Sequence, residues 1–267
     1  MPELPEVQTV LDGLAKSLNK KKIMALDCLR EGTVILDPEV LEPAFPAKAI
    51  SFARRGKYMI ITLDCGNSLI IHLRMTGKLV HTKAETPPNK HEHACFVLTG
   101  QESVHFIDPR TFGKIILCNS SNIANYLPRL GAEPLDDEFD DLYLKDKLKG
   151  KKLPIKNAIL DQRIIAGLGN IYVSEILFRA KVRPDRPSGG LSDKELKAIV
   201  KDTKAVLREA IAKNGTSISD FRRIDDKSGQ FQNYLQVYQK KACPLGHDIR
   251  VIRLGGRSSF YCPVCQK

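Results

Sequence analysis

Residues 57–75, KYMIITLDCGNSLIIHLRM, contain two runs rich in β-branched and apolar residues, 57–64 and 68–75. The tripeptide Cys65-Gly66-Asn67 separates them, and a short turn between two such runs predicts a β-hairpin. Similar runs follow at the close spacing typical of a sandwich or barrel, at 94–98, 104–107 and 114–117. Residues 1–130 are therefore predicted to be mostly strand.

Helical patterns flank this β-rich stretch. A proline in the first turn, early glutamates and an apolar stripe through Val7, Val10 and Leu14 predict a helix at the start of the chain. After residue 130 the pattern becomes helical, with two helices predicted over 155–160 and 171–180. The chain therefore combines a β-rich part with a helical part.

A long helix is predicted after Ser192, because Glu195 three positions later completes a capping box. Asn214-Gly215 is expected to end this helix, and the polar residues 216–232 are expected to form a loop. Upstream, Gly167-Leu-Gly169 lets the backbone approach a ligand closely, and the helix N-terminus that follows suits a phosphate group.

The composition is that of a basic globular protein. The 267 residues include 42 Lys and Arg against 31 Asp and Glu, which gives a net charge of +11. The hydrophobic fraction of 42% excludes a disordered or fibrous chain, and the length fits two domains with room for a small third. No apolar run approaches the roughly 20 residues of a membrane span, and the start lacks a secretory signal, so a soluble intracellular protein is expected.

The basic residues recur in short groups along the chain. A polyanion such as nucleic acid is the natural partner of such a surface, because Lys and Arg neutralise phosphates and release counterions. A solubilising basic face is the alternative that charge alone leaves open. The groups are Lys20-Lys21-Lys22, Arg54-Arg55 with Lys57, Lys149 with Lys151-Lys152, Arg222-Arg223 and Lys240-Lys241.

Three of the seven cysteines lie in the last 25 residues and predict a zinc site. Structural zinc takes four ligands, and the tail supplies Cys243, His247, Cys262 and Cys265. Residues 250–261 would form a β-hairpin that carries the site, with Gly255-Gly256 as its turn. Free cysteines in a tail that packs without metal are the alternative, and redox disulfides are a third. The other four cysteines are expected to be buried and reduced.

Several motifs, taken together, resemble the bacterial formamidopyrimidine-DNA glycosylases from residue 2 to residue 266. They occur in the family's order and are MPELPEV at 1–7, GKY at 56–58, HLRMTG at 72–77, DPRTFG at 108–113, GLGNIYVSE at 167–175, QVY at 236–238 and the cysteine-rich tail. The resemblance implies an α+β fold with an N-terminal β-sandwich and flanking helices over 1–130. A helix-two-turns-helix DNA-binding domain with a lesion loop would follow over 131–225, and a β-hairpin zinc finger over 226–267.

The resemblance implies excision of oxidised purines, chiefly 8-oxoguanine and formamidopyrimidines, followed by strand cleavage. Pro2, once Met1 is removed, would attack the sugar C1′, since a free α-amine titrates at about pH 7.7–8.0. Glu3 would be its acid/base partner, Lys57 would act at the lesion, and Arg257 would assist the second elimination. The plainer alternatives are a helix-start proline, a first-turn glutamate and a phosphate-only lysine.

Further positions are implied to contact DNA. Met75, Arg110 and Phe112 match residues that fill the gap left by an everted base, although core packing is the usual role of an isolated Met or Phe. Thr216 and Ser217 begin the loop that would close over the flipped purine. The implied phosphate contacts position the duplex, and they are His72, His91, Lys151, Lys156, Asn170 and the backbone of Tyr172.

The chain departs from the family pattern in the finger. Relatives usually carry Cys-x2-Cys in its first arm, whereas Gly246 stands at the second cysteine position with His247 beside it. One structural Zn²⁺ is still expected; without His247 as a ligand, Phe260 and Tyr261 would hold the finger by packing.

The expected partner is damaged double-stranded DNA, with no membrane, and the protein is expected to be a monomer of the bacterial cytoplasm. An oxidised-pyrimidine glycosylase of the endonuclease VIII type and a non-catalytic damage-binding protein are the alternatives.

Overall fold

A computed structural model describes residues 1–83, 89–218 and 220–267. Their contacts divide the chain into two compact units, Met1–Pro128 with Lys213–Gln230, and Arg129–Ala212 with Phe231–Lys267. The segment 213–230 thus packs with the β-rich residues. The boundaries of three separate domains stay a prediction.

The first unit is a β-sandwich that begins with a helix, α1 (Leu4–Leu18). The described strands are β1 (Lys22–Cys28), β2 (Val34–Leu36), β3 (Ala47–Arg55), β4 (Tyr58–Leu63), β5 (Asn67–His72), β6 (Lys78–Thr82), β7 (Glu92–Leu98), β8 (Glu102–Ile107) and β9 (Lys114–Asn119), followed by a short helix α2 (Ile123–Tyr126). The hairpin predicted from residues 57–75 is confirmed as β4 and β5, which pair in an antiparallel register that sets Met59 opposite Ile71.

The strands form two hydrogen-bonded groups, β2-β9-β5-β4-β3 and β1-β7-β8-β6. A short pairing of β1 with β3, through Lys22 and Ile23, connects them. Inward-facing residues of both groups, such as Ile61 and Phe106, belong to one buried cluster. The predicted stripe on α1 joins the same cluster, which fixes the start of the chain against the sandwich core.

The second unit contains the helices α3 (Asp141–Leu148), α4 (Ile155–Leu160), α5 (Asn170–Arg179) and α6 (Asp193–Ala212). The capping box predicted before α6 is confirmed, because the Ser192 N–H donates to Glu195 Oε2 at 2.8 Å. Asn214 and Gly215 follow the helix with φ of +59° and +75°, as expected for residues that end it. Within the described ranges, none of the helices has the length and apolar character needed to span a bilayer.

The predicted finger hairpin is confirmed as β10 (Arg250–Leu254) and β11 (Arg257–Tyr261). Gly255 and Gly256 form its turn with φ of +55° and +77°, a region that favours glycine. The segment before the finger is anchored to α5 by the buried Glu175 carboxylate. Its oxygens accept the backbone N–H groups of Gln236, Val237 and Tyr238 at 2.8–3.0 Å.

Candidate functional site

The first residues of the chain are buried at the N-terminus of α1. Pro2 and Glu3 are both buried, and Glu3 is the residue that caps the helix. Pro5 in the first turn fixes a backbone angle suited to a helix start, which explains why the helix begins here. The chain start is therefore packed in place rather than frayed, and catalytic groups need such a fixed position.

The Glu6 carboxylate joins this terminus to the segment 213–230. Its Oε2 accepts the Glu3 N–H at 2.8 Å, and its Oε1 accepts the Thr216 N–H at 2.7 Å. Gly215, at φ of +75°, lies so close that a Cβ there would come within 2.9 Å of Glu6 Oε1. The predicted lesion-loop residue Thr216 is therefore tied to the backbone of the predicted acid/base residue.

Lys57 and His72 form a second buried polar group in this unit. Gly56, at φ of +55°, turns the chain from β3 into β4 and leaves Lys57 only 6% exposed. Burial lowers the pKa of His72 to about 3, with further lowering by the charges of Arg74 and Lys57. The Arg74 N–H donates to His72 Nδ1 at 2.9 Å, so a neutral His72 carries its proton on Nε2 and can donate it to a phosphate oxygen.

Two turns of the sandwich present exposed side chains. We name them the Met75 turn (73–77) and the Arg110 turn (108–113). Met75 is 38% exposed and Phe112 is 51% exposed, so neither has the core role that is usual for an isolated Met or Phe. The Arg110 guanidinium lies 5.2 Å from the centroid of the Phe112 ring. Exposed apolar side chains beside an arginine suit insertion into a base stack.

In the second unit, α5 begins at Asn170 behind Gly169, and its first-turn backbone includes Tyr172. The first N–H groups of a helix point along its axis toward the N-terminus, where they and the helix dipole favour a phosphate. The Tyr172 ring is fully buried, so the residue can reach DNA only through its backbone. Asn170 Nδ2 donates to the Ser258 carbonyl at 3.1 Å, which places it beside the finger turn.

The structure gives Lys156 a position that differs from the predicted phosphate contact. Its side chain is fully buried, and its ammonium donates to the Ser258 carbonyl at 2.8 Å and to Ser259 Oγ at 2.6 Å. Lys156 therefore holds strand β11, and its role as a phosphate ligand has no support from this geometry. Lys151 and Arg257 are exposed, whereas His91 is half-buried.

The four predicted metal ligands come together. His247 Nδ1 lies 3.6 Å from Cys243 Sγ and 3.4 Å from Cys265 Sγ, and all four donor atoms lie within 4.8 Å of one another, Cys262 included. Burial raises the pKa of the Cys243 thiol, but hydrogen bonds from the backbone N–H groups of Leu245 and His247 outweigh it, and the pKa falls to about 7. This group can hold a metal ion.

The sequence did not indicate a role for Asp108, which connects the Met75 turn and the Arg110 turn. Asp108 is fully buried and accepts hydrogen bonds from both the Met75 turn and the Arg110 turn. Its only signal in the sequence was its place in the DPRTFG motif, next to a proline that suggests a turn.

Known protein families resemble this chain over both of its parts. Residues 1–115 match the model of the formamidopyrimidine-DNA glycosylase N-terminal domain, and residues 130–222 match that of the formamidopyrimidine-DNA glycosylase H2TH domain. A formamidopyrimidine-DNA glycosylase of Pelotomaculum thermopropionicum is 40% identical over 275 residues, which cover 100% of this chain and 99% of the relative.

Solved structures agree with this assignment. A Lactococcus lactis Fpg mutant in complex with Fapy-dG-containing DNA matches with a TM-score of 0.90 and 32% identity, covering 100% of each chain. An LlFpg mutant in which Gly-His replaces a cysteine is bound to THF-containing DNA and matches with the same values. The MutM (Fpg) protein of Thermus thermophilus matches with a TM-score of 0.87 and 32% identity, over 99% of this chain and 98% of that one. With two family models, full-length relatives and the α+β fold in agreement, the chain belongs to the formamidopyrimidine-DNA glycosylase family.

Proposed function

We propose that the protein is a bifunctional DNA glycosylase and abasic-site lyase that excises 8-oxoguanine and formamidopyrimidines from damaged duplex DNA. The observation that carries this proposal is the buried Pro2-Glu3 pair at the start of α1. Binding to phosphates alone would need neither residue, whereas covalent attack by a terminal amine needs both. The names of the similar proteins support the same substrate class.

The proposed chemistry begins when removal of Met1 leaves Pro2 with a secondary amine. Its nitrogen attacks C1′ of the damaged nucleoside, the bond between C1′ and the base breaks, and the base leaves with a proton. Glu3 supplies and accepts protons beside the sugar. The sugar ring then opens, because the C1′–O4′ bond breaks and O4′ takes a proton from Glu3, which leaves an iminium between C1′ and Pro2. The iminium makes the C2′ proton acidic, so its loss expels the 3′ phosphate. Loss of the C4′ proton then expels the 5′ phosphate, and water releases Pro2.

The residues around this pair are proposed to hold the DNA. His72 donates through Nε2 to a phosphate, Lys57 contributes a positive charge at the lesion, and Thr216 with Ser217 closes over the everted base. Met75, Arg110 and Phe112 fill the gap in the stack. In the helical unit Lys151, Asn170 and Tyr172 through its backbone are proposed to bind phosphates, as the net charge of +11 favours, and Arg257 is proposed to assist the second elimination.

We also propose that Cys243, His247, Cys262 and Cys265 hold one structural Zn²⁺. Three thiols and an imidazole are a donor set that zinc favours, and the distances of 3.4 Å and 3.6 Å between donor atoms suit one tetrahedral ion. Such an ion would fix the base of the hairpin and take no part in the reaction. Replacement of a cysteine by Gly-His in the LlFpg mutant parallels Gly246-His247 here. We expect a cytoplasmic monomer.

Borohydride trapping tests the proposed activity. Wild-type protein should become covalently attached to a duplex that carries 8-oxoguanine opposite cytosine, and the Pro2→Gly variant should lose most of this attachment. The matched control is Pro38→Gly, which changes an exposed proline and should trap like the wild type. Mass spectrometry of the mature chain should show that Met1 is absent.

Three outcomes would contradict the proposal in different ways. Binding to the lesion duplex without trapping would indicate a damage-binding protein. Faster trapping on thymine glycol than on 8-oxoguanine would indicate the endonuclease VIII type. Equal trapping by wild type and Pro2→Gly would exclude Pro2 as the nucleophile.

A further inference from the structure

The side chain of Asp108 connects the two exposed turns of the sandwich. Its Oδ1 accepts the Thr76 hydroxyl from the Met75 turn and the Arg110 N–H at 3.2 Å. Its Oδ2 accepts the Gly113 N–H at 2.7 Å. Because the Arg110 N–H also lies 3.3 Å from Thr76 Oγ1, the two turns share one hydrogen-bonded group.

The backbone of Asp108 is fixed as firmly as its carboxylate. Its N–H donates to the His91 carbonyl at 2.9 Å, and its carbonyl accepts His93 Nε2 at 2.8 Å and the Thr111 N–H at 3.1 Å. Full burial and these hydrogen bonds together restrict Asp108 to one position. The start of β7 thus belongs to the same network as the two turns.

The Arg110 turn is held in a conformation that it would not adopt unaided. Thr111 has φ of +63°, a region that is unfavourable for a β-branched residue. At Gly113 a Cβ would come within 2.4 Å of the Phe106 ring, so the chain passes tightly against the core. Arg110 and Phe112 lie on either side of Thr111, and the Arg110 guanidinium lies 5.2 Å from the centroid of the Phe112 ring.

We propose that Asp108 is a positioning residue that joins the Met75 turn and the Arg110 turn into one rigid wedge for base extrusion and for reading the orphaned base. This proposal rests on the proposed function. Extruding a base loses stacking free energy, and inserted side chains offset this loss best when they are already held in the positions that fill the gap. Fixing both turns through one carboxylate avoids ordering them separately when DNA binds.

Two variants weaken the connection by different means. Asp108→Asn offers one acceptor oxygen to three donors, and its amide nitrogen must face at least one N–H or O–H. Thr76→Val removes only the hydroxyl at nearly constant volume, and it provides a test if Asp108→Asn folds poorly. The matched controls are Asp37→Asn, a buried aspartate bonded to Asn122, and Thr82→Val, whose hydroxyl is bonded to His105.

Single-turnover cleavage is measured on two DNAs: a duplex with 8-oxoguanine opposite cytosine, and a single strand with a preformed abasic site, which has no base to extrude and no orphaned partner. Each variant should lose about tenfold or more on the duplex, the factor equivalent to about 1.4 kcal/mol, and far less on the single strand. If the wild type cleaves the lesion faster opposite cytosine than opposite adenine, the ratio of these two rates should fall toward one in each variant. Both controls should change the two rates by the same small factor.

Equal losses on both DNAs, or no loss on the duplex, would overturn the positioning role. If the wild type cleaves neither DNA, the proposed function fails instead, and a binding measurement then decides about Asp108. For this, 2-aminopurine is placed opposite an uncleavable abasic analogue. The wild type should raise its fluorescence by unstacking it, and a rise of the same size with Asp108→Asn would refute the role.

Discussion

Replacing Glu6 by glutamine tests whether one carboxylate couples the chain start to the lesion loop. The change keeps the shape of the side chain but exchanges one oxygen for an amide NH₂. In the wild type Oε2 accepts the Glu3 N–H and Oε1 accepts the Thr216 N–H. In the variant one of these N–H groups must face a second donor, so one of the two links is lost.

The size of the effect follows from the burial of the site. Glu6 is 2% exposed, so water does not replace the lost acceptor. A hydrogen bond to a charged group contributes about 1.5–3 kcal/mol. If the transition state needs both links, this range corresponds to a rate loss of roughly 10–150-fold, at a factor of ten per about 1.4 kcal/mol.

Two measurements report the two links. Single-turnover trapping on the 8-oxoguanine duplex reports the placement of Pro2 and Glu3, and the rate of tryptic cleavage after Arg222 or Arg223 reports the order of the segment 213–230. Glu6→Gln should slow trapping and speed proteolysis. Asp12→Asn changes an exposed acid of the same helix, whose Oδ1 accepts the Gln8 amide at 2.9 Å, and should alter neither rate. Wild-type trapping and proteolysis in Glu6→Gln would refute the coupling.

Three further predictions concern charge and metal. Folding lowers the pKa of His72 from 6.5 to about 3, so between these pH values the unfolded chain binds a proton that the folded chain does not. The free energy of unfolding should therefore fall as the pH is lowered from 6.5 to 3, by up to about 1.4 kcal/mol per pH unit. Urea titrations should show a shallower pH dependence for His72→Asn, and an unchanged slope would contradict the shift. His247→Ala should lower the zinc content measured by metal analysis, and wild-type content would exclude His247 as a ligand. For duplex binding, Lys151→Ala should reduce the slope of log K against log salt by about 0.9, whereas Lys156→Met should not, and the reverse result would reassign the phosphate contact.

The fold was predictable where the sequence pattern is strong. Strands β4 and β5 carry dense apolar runs, and the finger hairpin has a Gly-Gly turn, so both were found. Strand β3 was missed because it contains Lys48, Arg54 and Arg55 and, after the buried Ala47, varies irregularly between exposed and half-buried positions. Its membership in the sheet is decided by backbone pairing with β4, which no local pattern shows.

The family motifs name the residues of the candidate site, but they do not indicate the contacts between those residues. Glu6 and Thr216 are 210 positions apart, and nothing local marks their contact. The resemblance implies a phosphate contact for Lys156, because sequence does not show that Ser258 and Ser259 accept hydrogen bonds from its ammonium. Partners of long side chains are set by tertiary packing, which periodicity does not encode.

Three buried carboxylates explain how irregular segments acquire fixed positions in this protein. Glu6, Asp108 and Glu175 each accept backbone N–H groups from residues outside the helices and strands. Burial raises the pKa of the Glu175 carboxyl, and the N–H groups of residues 236–238 lower it only in part. Burying this carboxylate therefore has a cost in desolvation free energy. An apolar residue would avoid that cost but could not satisfy several N–H groups at once, and unsatisfied N–H groups in a buried loop are more costly still. A buried carboxylate can therefore hold an irregular backbone segment in place where no helix or strand does so. This explains the buried acidic residues in a chain whose net charge is +11.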